Sequence, residues 1–181
     1  MKSYTDVSVD LETYGTEPGC VILEVAFTAF DRRNSGRSMA TIHRFLNIQE
    51  QVEMGFKINH DTVTWWASQP DKWARQNSAE RYPVDECVHD LLKFIHDYTN
   101  PQEVLVWAKG SHFDLPILRT IMPDPWHFRN IHDLRTLAFA FPFSNRLDRD
   151  TEKFPTHHGL EDSLFQAMEV QALCSMIVTG E

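Results

Sequence analysis

The sequence predicts an α/β fold, a mixed β-sheet flanked by α-helices. Three observations carry this reading. Three strand-like segments with short links open the chain. A continuous apolar run, Val104–Ala108, sits in its second half. Segments with helical periodicity lie between and after them. The 181 residues, 42% hydrophobic and 24% charged, are enough for one core and read as a single domain, residues 1–181.

The elements follow in order. Tyr4–Asp10 alternates Val7 and Val9 with Ser8 and Asp10, the period of a strand. Thr13–Gly19, punctuated by Gly15, Pro18 and Gly19, is a turn. Val21–Asp31 is rich in β-branched and aromatic residues and reads as a longer strand, and Thr41–Leu46 as a third, which makes an antiparallel meander. Asp61 is placed to cap a short helix carrying Trp65 and Trp66, and Pro70 to start another through Trp73. Pro83 opens a helix with Asp85 and Glu86 in its first turn and an apolar stripe of Val84, Val88, Leu91, Leu92 and Ile95, stopped at Asn100-Pro101. Val104–Ala108 is a strand buried in mid-sheet. Leu115–Ile121 is a short helix, Leu134, Leu137, Ala138 and Phe141 form a core stripe, and Phe141–Pro155 reads as a mobile loop. The last helix, Gly159–Val178, carries an apolar face of Leu160, Leu164, Ala167, Met168 and Leu173.

Composition excludes several classes. A net charge of −9, from 17 basic and 26 acidic residues, argues against a protein that simply coats nucleic acid. It is compatible with an enzyme whose bound cations supply the positive charge. Cys20, Cys87 and Cys174 are odd in number and far apart, so they read as buried free thiols rather than a disulfide framework or a zinc site. No apolar run reaches the roughly 18 residues of a membrane span. The polar start MKSYTDVSVD does not read as a signal peptide, so the expectation is no membrane partner and a cytoplasmic location.

Four acids and one histidine stand out by context. Asp10 and Glu12, two apart at a strand end, point to one side. Asp114 follows the buried strand closely. Asp162 sits in the first turn of the last helix, five residues after His157. Each alone has a plainer explanation: a solvated strand end, an N-cap, a favourable first-turn acid, a loop histidine. Together they form an ordered set of carboxylates at element ends.

These residues carry a resemblance. The segments VDLETYGT (Val9–Thr16), WAKGSHFDLPIL (Trp107–Leu118) and HHGLEDSLFQA (His157–Ala167) are similar to the three motifs of the DEDDh 3′–5′ exonucleases. The likeness runs from Tyr4 to Leu173. DTVTWWASQ (Asp61–Gln69) and IHDLRT (Ile131–Thr136) resemble the compact single-domain branch that includes phage exonuclease A and RNase AS. The chain departs from that branch at Lys109, where Asn is common, and at Gly159, where Ala is more usual. Lys109 is open between a phosphate contact and a solvated loop residue.

The resemblance implies a ribonuclease-H-like fold and a metal-dependent exonuclease that acts on 3′ ends of single-stranded nucleic acid. It implies two divalent cations, Mg²⁺ or Mn²⁺, held by Asp10, Glu12, Asp114 and Asp162, with His157 as the base. It also implies substrate contacts from Thr13 and Tyr14, and a homodimer. Such hard cations take oxygen ligands, which carboxylates supply. Trp65, Trp66 and Phe113 are candidates for base stacking, although adjacent tryptophans on a short helix cannot share one face, so at least one belongs to the core. Asp133 and Arg135 read as a structural salt bridge, with the alternative that Arg135 holds a phosphate or carboxylate. Three other readings share these features: a catalytically inactive nucleic-acid-binding module, a phosphohydrolase of short oligonucleotides or free nucleotides, and an endonuclease of the same fold. The His-x4-Asp spacing favours the exonuclease.

Overall fold

Why the acidic motif ends up buried follows from the strand that carries it. β1 (Asp6–Thr13) lies at the centre of a five-stranded sheet of order β3-β2-β1-β4-β5. It pairs antiparallel with β2 (Ile22–Phe30), which pairs antiparallel with β3 (Ala40–Phe45). On its other side it runs parallel to β4 (Leu105–Ala108), which is parallel to β5 (Ile131–Asp133). The structure, a computed structural model, describes residues 3–141 and 147–179. The meander and the mid-sheet strand are as expected. β1 extends three residues further than its alternating pattern suggests, because Leu11 and Glu12 stay in register with Val25 and Glu24.

Helices form both outer layers. α1 (Ile48–Glu53), α2 (His60–Ala67) and α3 (Pro70–Ser78) follow the meander. α4 (Val84–Tyr98) and α5 (Ser111–Leu118) flank β4, and α6 (Leu134–Phe139) and α7 (Gly159–Thr179) complete the chain. Val7, Val9 and Leu11 point to one face of the sheet, where they join Phe27, Leu91, Ile95, Leu115 and Ile117 in the main core. On the other face Phe30 and Trp107 pack with Leu134, Ala138, Ala167, Val170 and Leu173. Among the described residues, no helix is long and apolar enough to cross a membrane. All three cysteines are free thiols, Cys20 and Cys87 buried.

The structure corrects several local expectations. α2 is capped by Asn59, whose side chain accepts from the amides of Asp61 and Thr62, so Asp61 lies inside the first turn. Asp114 also lies in a first turn, since α5 starts at Ser111 after Gly110 at φ 111°, a value glycine tolerates. α7 turns Ser163 and Gln166 to the sheet, where they meet Thr28 and Ser8, while Leu160, Leu164 and Met168 are only partly buried. The expected mobile loop is anchored over residues 147–155: Arg149 donates to the carbonyls of Phe154 and Pro155. Residues 142–146 of that loop lie outside the described residues.

One buried charge cluster ties the meander to α3. Glu24 on β2 is fully buried opposite Glu12 and accepts from Arg75 through both oxygens at 2.7 Å, from Gln76 at 2.6 Å and from His43 at 2.5 Å. Burial alone would raise its pKa. The hydrogen bonds from His43 and Arg75 outweigh it and hold the pKa at about 2. Gly159 packs against this side chain, and a Cβ there would stand 3.4 Å from its carboxylate carbon, an ordinary van der Waals contact.

Removing the charge leaves Arg75 uncompensated. Glu24→Gln is expected to cost about 2–4 kcal/mol at pH 7, toward the low end for a broken buried pair because Arg75 keeps some contact with water. Because the folded pKa lies below the ordinary 4.5, this stabilisation is complete above about pH 4.5 and fades toward pH 2. Urea unfolding of both proteins at pH 7, 5 and 3 checks this. The gap between them should hold from pH 7 to 5 and narrow at pH 3.

Candidate active site

The polar edge of β1 ends in a cavity of about 540 Å³. Asp10, Glu12, Thr13, Asp114, His157 and Asp162 line it, with Trp65, Trp66 and Phe113. Asp10 and Glu12 arrive together because they are two apart on a strand. Asp162 comes from the first turn of α7 and Asp114 from the first turn of α5, 104 residues after Asp10 in sequence. One carboxylate oxygen each from Asp10, Glu12 and Asp162 lie within 4.8 Å of one another.

Asp10, Asp114 and Asp162 are each held by donors of the protein itself. The Gln166 amide donates to Asp10 Oδ1 at 2.7 Å. The Leu11 amide donates to Asp114 Oδ1 at 3.2 Å. Asp162 accepts from the His158 amide at 3.0 Å and from Arg149 Nη1 at 2.5 Å. These contacts do not neutralise the cluster. Burial first, then repulsion from neighbouring carboxylates, raises the pKa of Asp10 and of Glu12 well above the ordinary range. Burial takes Asp114 up to about 7, with the Leu11 hydrogen bond opposing it.

His157 closes one side. Its backbone adopts φ 59°, a left-handed conformation uncommon outside glycine, which is the sort of strain found at functional sites. Its ring lies edge-on to Trp65 with centroids 4.7 Å apart, and Nδ1 stands 3.9 Å from Glu12 Oε1. Burial lowers its pKa, as do the charges of Lys72 and Arg149. The neighbouring His158 turns elsewhere: its ring nitrogen faces Glu161 at 3.8 Å and it does not line the cavity.

The two tryptophans divide as steric reasoning requires. Trp66 is 1% exposed and its indole donates to the Thr13 carbonyl, so it braces the wall from within the core. Trp65 is 39% exposed and offers a ring to the cavity. Phe113 and Thr13 reach the wall, although the Thr13 hydroxyl is taken by the Gly15 carbonyl at 2.6 Å. Tyr14 does not reach it: the ring packs with Val21, Leu23 and Trp66 and against Trp73. Lys109 is paired with Glu169 at 3.1 Å. The expected Asp133–Arg135 salt bridge does not form. Asp133 caps α6 through the Thr136 amide and accepts from the Ser111 amide, while Arg135 turns to the cavity.

With this geometry in place, comparison with known proteins identifies the lineage. Residues 5–174 match the family model described as the Rv2179c-like 3′–5′ exoribonuclease domain. The chain belongs to this family. An exodeoxyribonuclease of Enterobacteria phage T4 is 30% identical over 195 aligned residues, covering 87% of this chain and 79% of that protein. Two solved structures share the fold. The nuclease domain of 3′hExo, a DEDDh family member bound to rAMP, superposes with a TM-score of 0.56 at 16% identity, covering 99% of this chain and 96% of that one. Cell-death related nuclease 4 gives 0.55 at 14% identity, and this chain covers 97% of itself and 64% of that chain. The chain is thus an enzyme of a 3′–5′ exonuclease family, and its sheet has the ribonuclease-H-like fold shared with a DEDDh nuclease domain.

Arg149 and Gln166, which hold Asp162 and Asp10, escaped sequence reasoning. One lies in a stretch that reads as a charged loop, and the other on a helix face judged by its apolar residues. The donor set suits a hard divalent cation, being clustered carboxylate oxygens without a thiol. A cation would also relieve the repulsion that raises these pKa values. Binding must then displace protons. Calorimetric titration with Mn²⁺ at pH 7 in buffers of different ionisation enthalpy is expected to show proton release, with affinity weakening as the pH falls below 7. Heats independent of the buffer would contradict this picture of the cluster.

Proposed function

We propose that the chain is a divalent-metal-dependent exonuclease that removes nucleotides from the 3′ end of single-stranded nucleic acid and releases nucleoside 5′-monophosphates. The single observation that carries this reading is the meeting of Asp10, Glu12 and Asp162, with ligand oxygens within 4.8 Å, in one cavity with Asp114, His157 and Trp65. The DEDDh relative crystallised with rAMP is compatible with a nucleoside monophosphate product. The family description names RNA and the phage relative's name DNA, so the proposal covers either sugar.

Asp10, Glu12, Asp114 and Asp162 would hold the metal, Mg²⁺ or Mn²⁺. A pair of such ions supplies an activated water and charge neutralisation at the phosphate. The protein's own groups do the rest. His157, kept neutral at pH 7 by burial and nearby cations, has an unprotonated ring nitrogen ready to accept the proton of the attacking water. Trp65 fixes that ring from the side and presents its own exposed surface to the terminal base. Base stacking of this kind is worth about 1–3 kcal/mol and tolerates any sequence, which suits an enzyme that must accept each new end.

Digestion of matched oligonucleotides labelled at the 3′ or the 5′ end tests this. With Mn²⁺, 5′-mononucleotides should leave from the 3′ end, and excess EDTA should stop the reaction. Asp10→Ala and Asp162→Ala should abolish turnover. His157→Ala should lower kcat by about 10²–10⁴-fold, the usual contribution of a general base, with little change in KM. Trp65→Ala should raise KM without lowering the melting temperature, whereas Trp66→Ala should lower the melting temperature. Hydrolysis of free nucleotides in preference to longer strands would replace this reading with a nucleotide phosphohydrolase.

A further inference from the structure

We propose that Arg135 binds the phosphodiester immediately upstream of the bond being cut, and so sets the path of the substrate strand out of the site. The inference rests on the exonuclease reading above and adds a residue and a direction to it.

The cavity has two unlike flanks on either side of β1. On the β2 side stands α2, with Trp66 packed against Tyr14, Val21 and Leu23, and Trp65 open to the cavity. On the β4 and β5 side stand Lys109, directly after β4, and Arg135, two residues beyond β5. The carboxylates lie between these flanks at the end of β1. A terminal nucleoside stacked on Trp65 puts its 5′ phosphate over the carboxylates. The next residue of the strand then falls toward Lys109 and Arg135.

Of these two cations, only Arg135 is available. Lys109 is bound to Glu169. Asp133, the acid nearest Arg135 in sequence, is occupied by the Thr136 and Ser111 amides. Among the described residues, Arg135 makes no ion pair or hydrogen bond. The fold also leaves space for its head group. The guanidinium passes over Gly110, where a Cβ would come within 3.2 Å of Cζ and of Nη1 and would ask the head group to shift by a few tenths of an ångström. It is the φ of 111° at position 110 that calls for glycine. The Arg135 guanidinium acts through space on Asp114, whose pKa its charge lowers, while among the described residues its hydrogen-bond donors are unused. It is well placed to accept a phosphate, whose oxygens match its fork of donors.

The position of the contacted phosphate is testable with two trinucleotides of the same sequence. They share an ordinary scissile phosphodiester and differ upstream, where one carries a phosphodiester and the other an uncharged methylphosphonate. The wild-type enzyme is expected to favour the charged substrate by about 10–100-fold in kcat/KM, the range for one hydrogen-bonded charge pair. Arg135→Gln should reduce that preference to less than about threefold, and Arg135→Lys should restore part of it. The salt dependence of single-strand binding should weaken in Arg135→Gln by about 0.7 in log–log slope, one phosphate contact's worth. An unchanged preference in Arg135→Gln, or equal losses on both substrates, would overturn the assignment while leaving the exonuclease reading intact. A wild-type protein that cuts neither trinucleotide nor a longer strand would remove that reading and this inference with it.

Discussion

The site depends on the crowding of like charges at the end of one strand. Asp10, Glu12, Asp114 and Asp162 come together in one cavity; burial raises the pKa of Asp10, Glu12 and Asp114, and repulsion between the carboxylates adds to it at Asp10 and Glu12. No fold selected for stability alone would place them so. The arrangement suits a cluster completed by cations, and the surrounding structure holds three of the carboxylates in position. Gln166, the Leu11 amide, the His158 amide and Arg149 each donate to one of them.

The neighbouring Glu24 shows how the same chain treats an acid it needs ionised for structural reasons. It lies opposite Glu12 in the sheet and is fully buried, yet three side chains donate to it and its pKa falls. Two glutamates on adjacent strands thus have opposite electrostatic fates. One is saturated by Arg75, Gln76 and His43 and anchors α3 to the sheet. The other is left unsatisfied, facing the cavity. That contrast separates a structural carboxylate from a candidate metal ligand more sharply than burial does.

Much of this was legible in the chain. Strand periodicity located β1 and placed Asp10 and Glu12 on one side, the run at Val104–Ala108 located the parallel strand, and motif spacing brought in Asp114, His157 and Asp162. The less legible parts share a physical cause: their role depends on a partner far away in sequence. Gln166 looks like an interruption of an apolar helix face until Asp10 and Ser8 are set opposite it. Arg149 looks like a loop charge until Asp162 is beside it. Tyr14 follows the acidic motif directly, yet it turns into the core because β1 slips register between Glu12 and Thr13. Asp133 and Arg135 invite pairing by proximity, but Asp133 caps a helix and Arg135 turns to the cavity. β5 is three residues long and α6 only six, too short for periodicity to speak.

The carboxylate cluster repels itself without metal, and a bound cation would relieve it. The most direct measurement compares thermal unfolding of the wild-type protein and Asp10→Asn at pH 8, in EDTA and in millimolar Mn²⁺. Asp10→Asn removes one charge and keeps the acceptor for Gln166. It is expected to be at least as stable as the wild type in EDTA and to gain little from Mn²⁺, while the wild type gains several degrees. An Asp10→Asn protein that is less stable in EDTA and responds to Mn²⁺ as the wild type does would contradict the account.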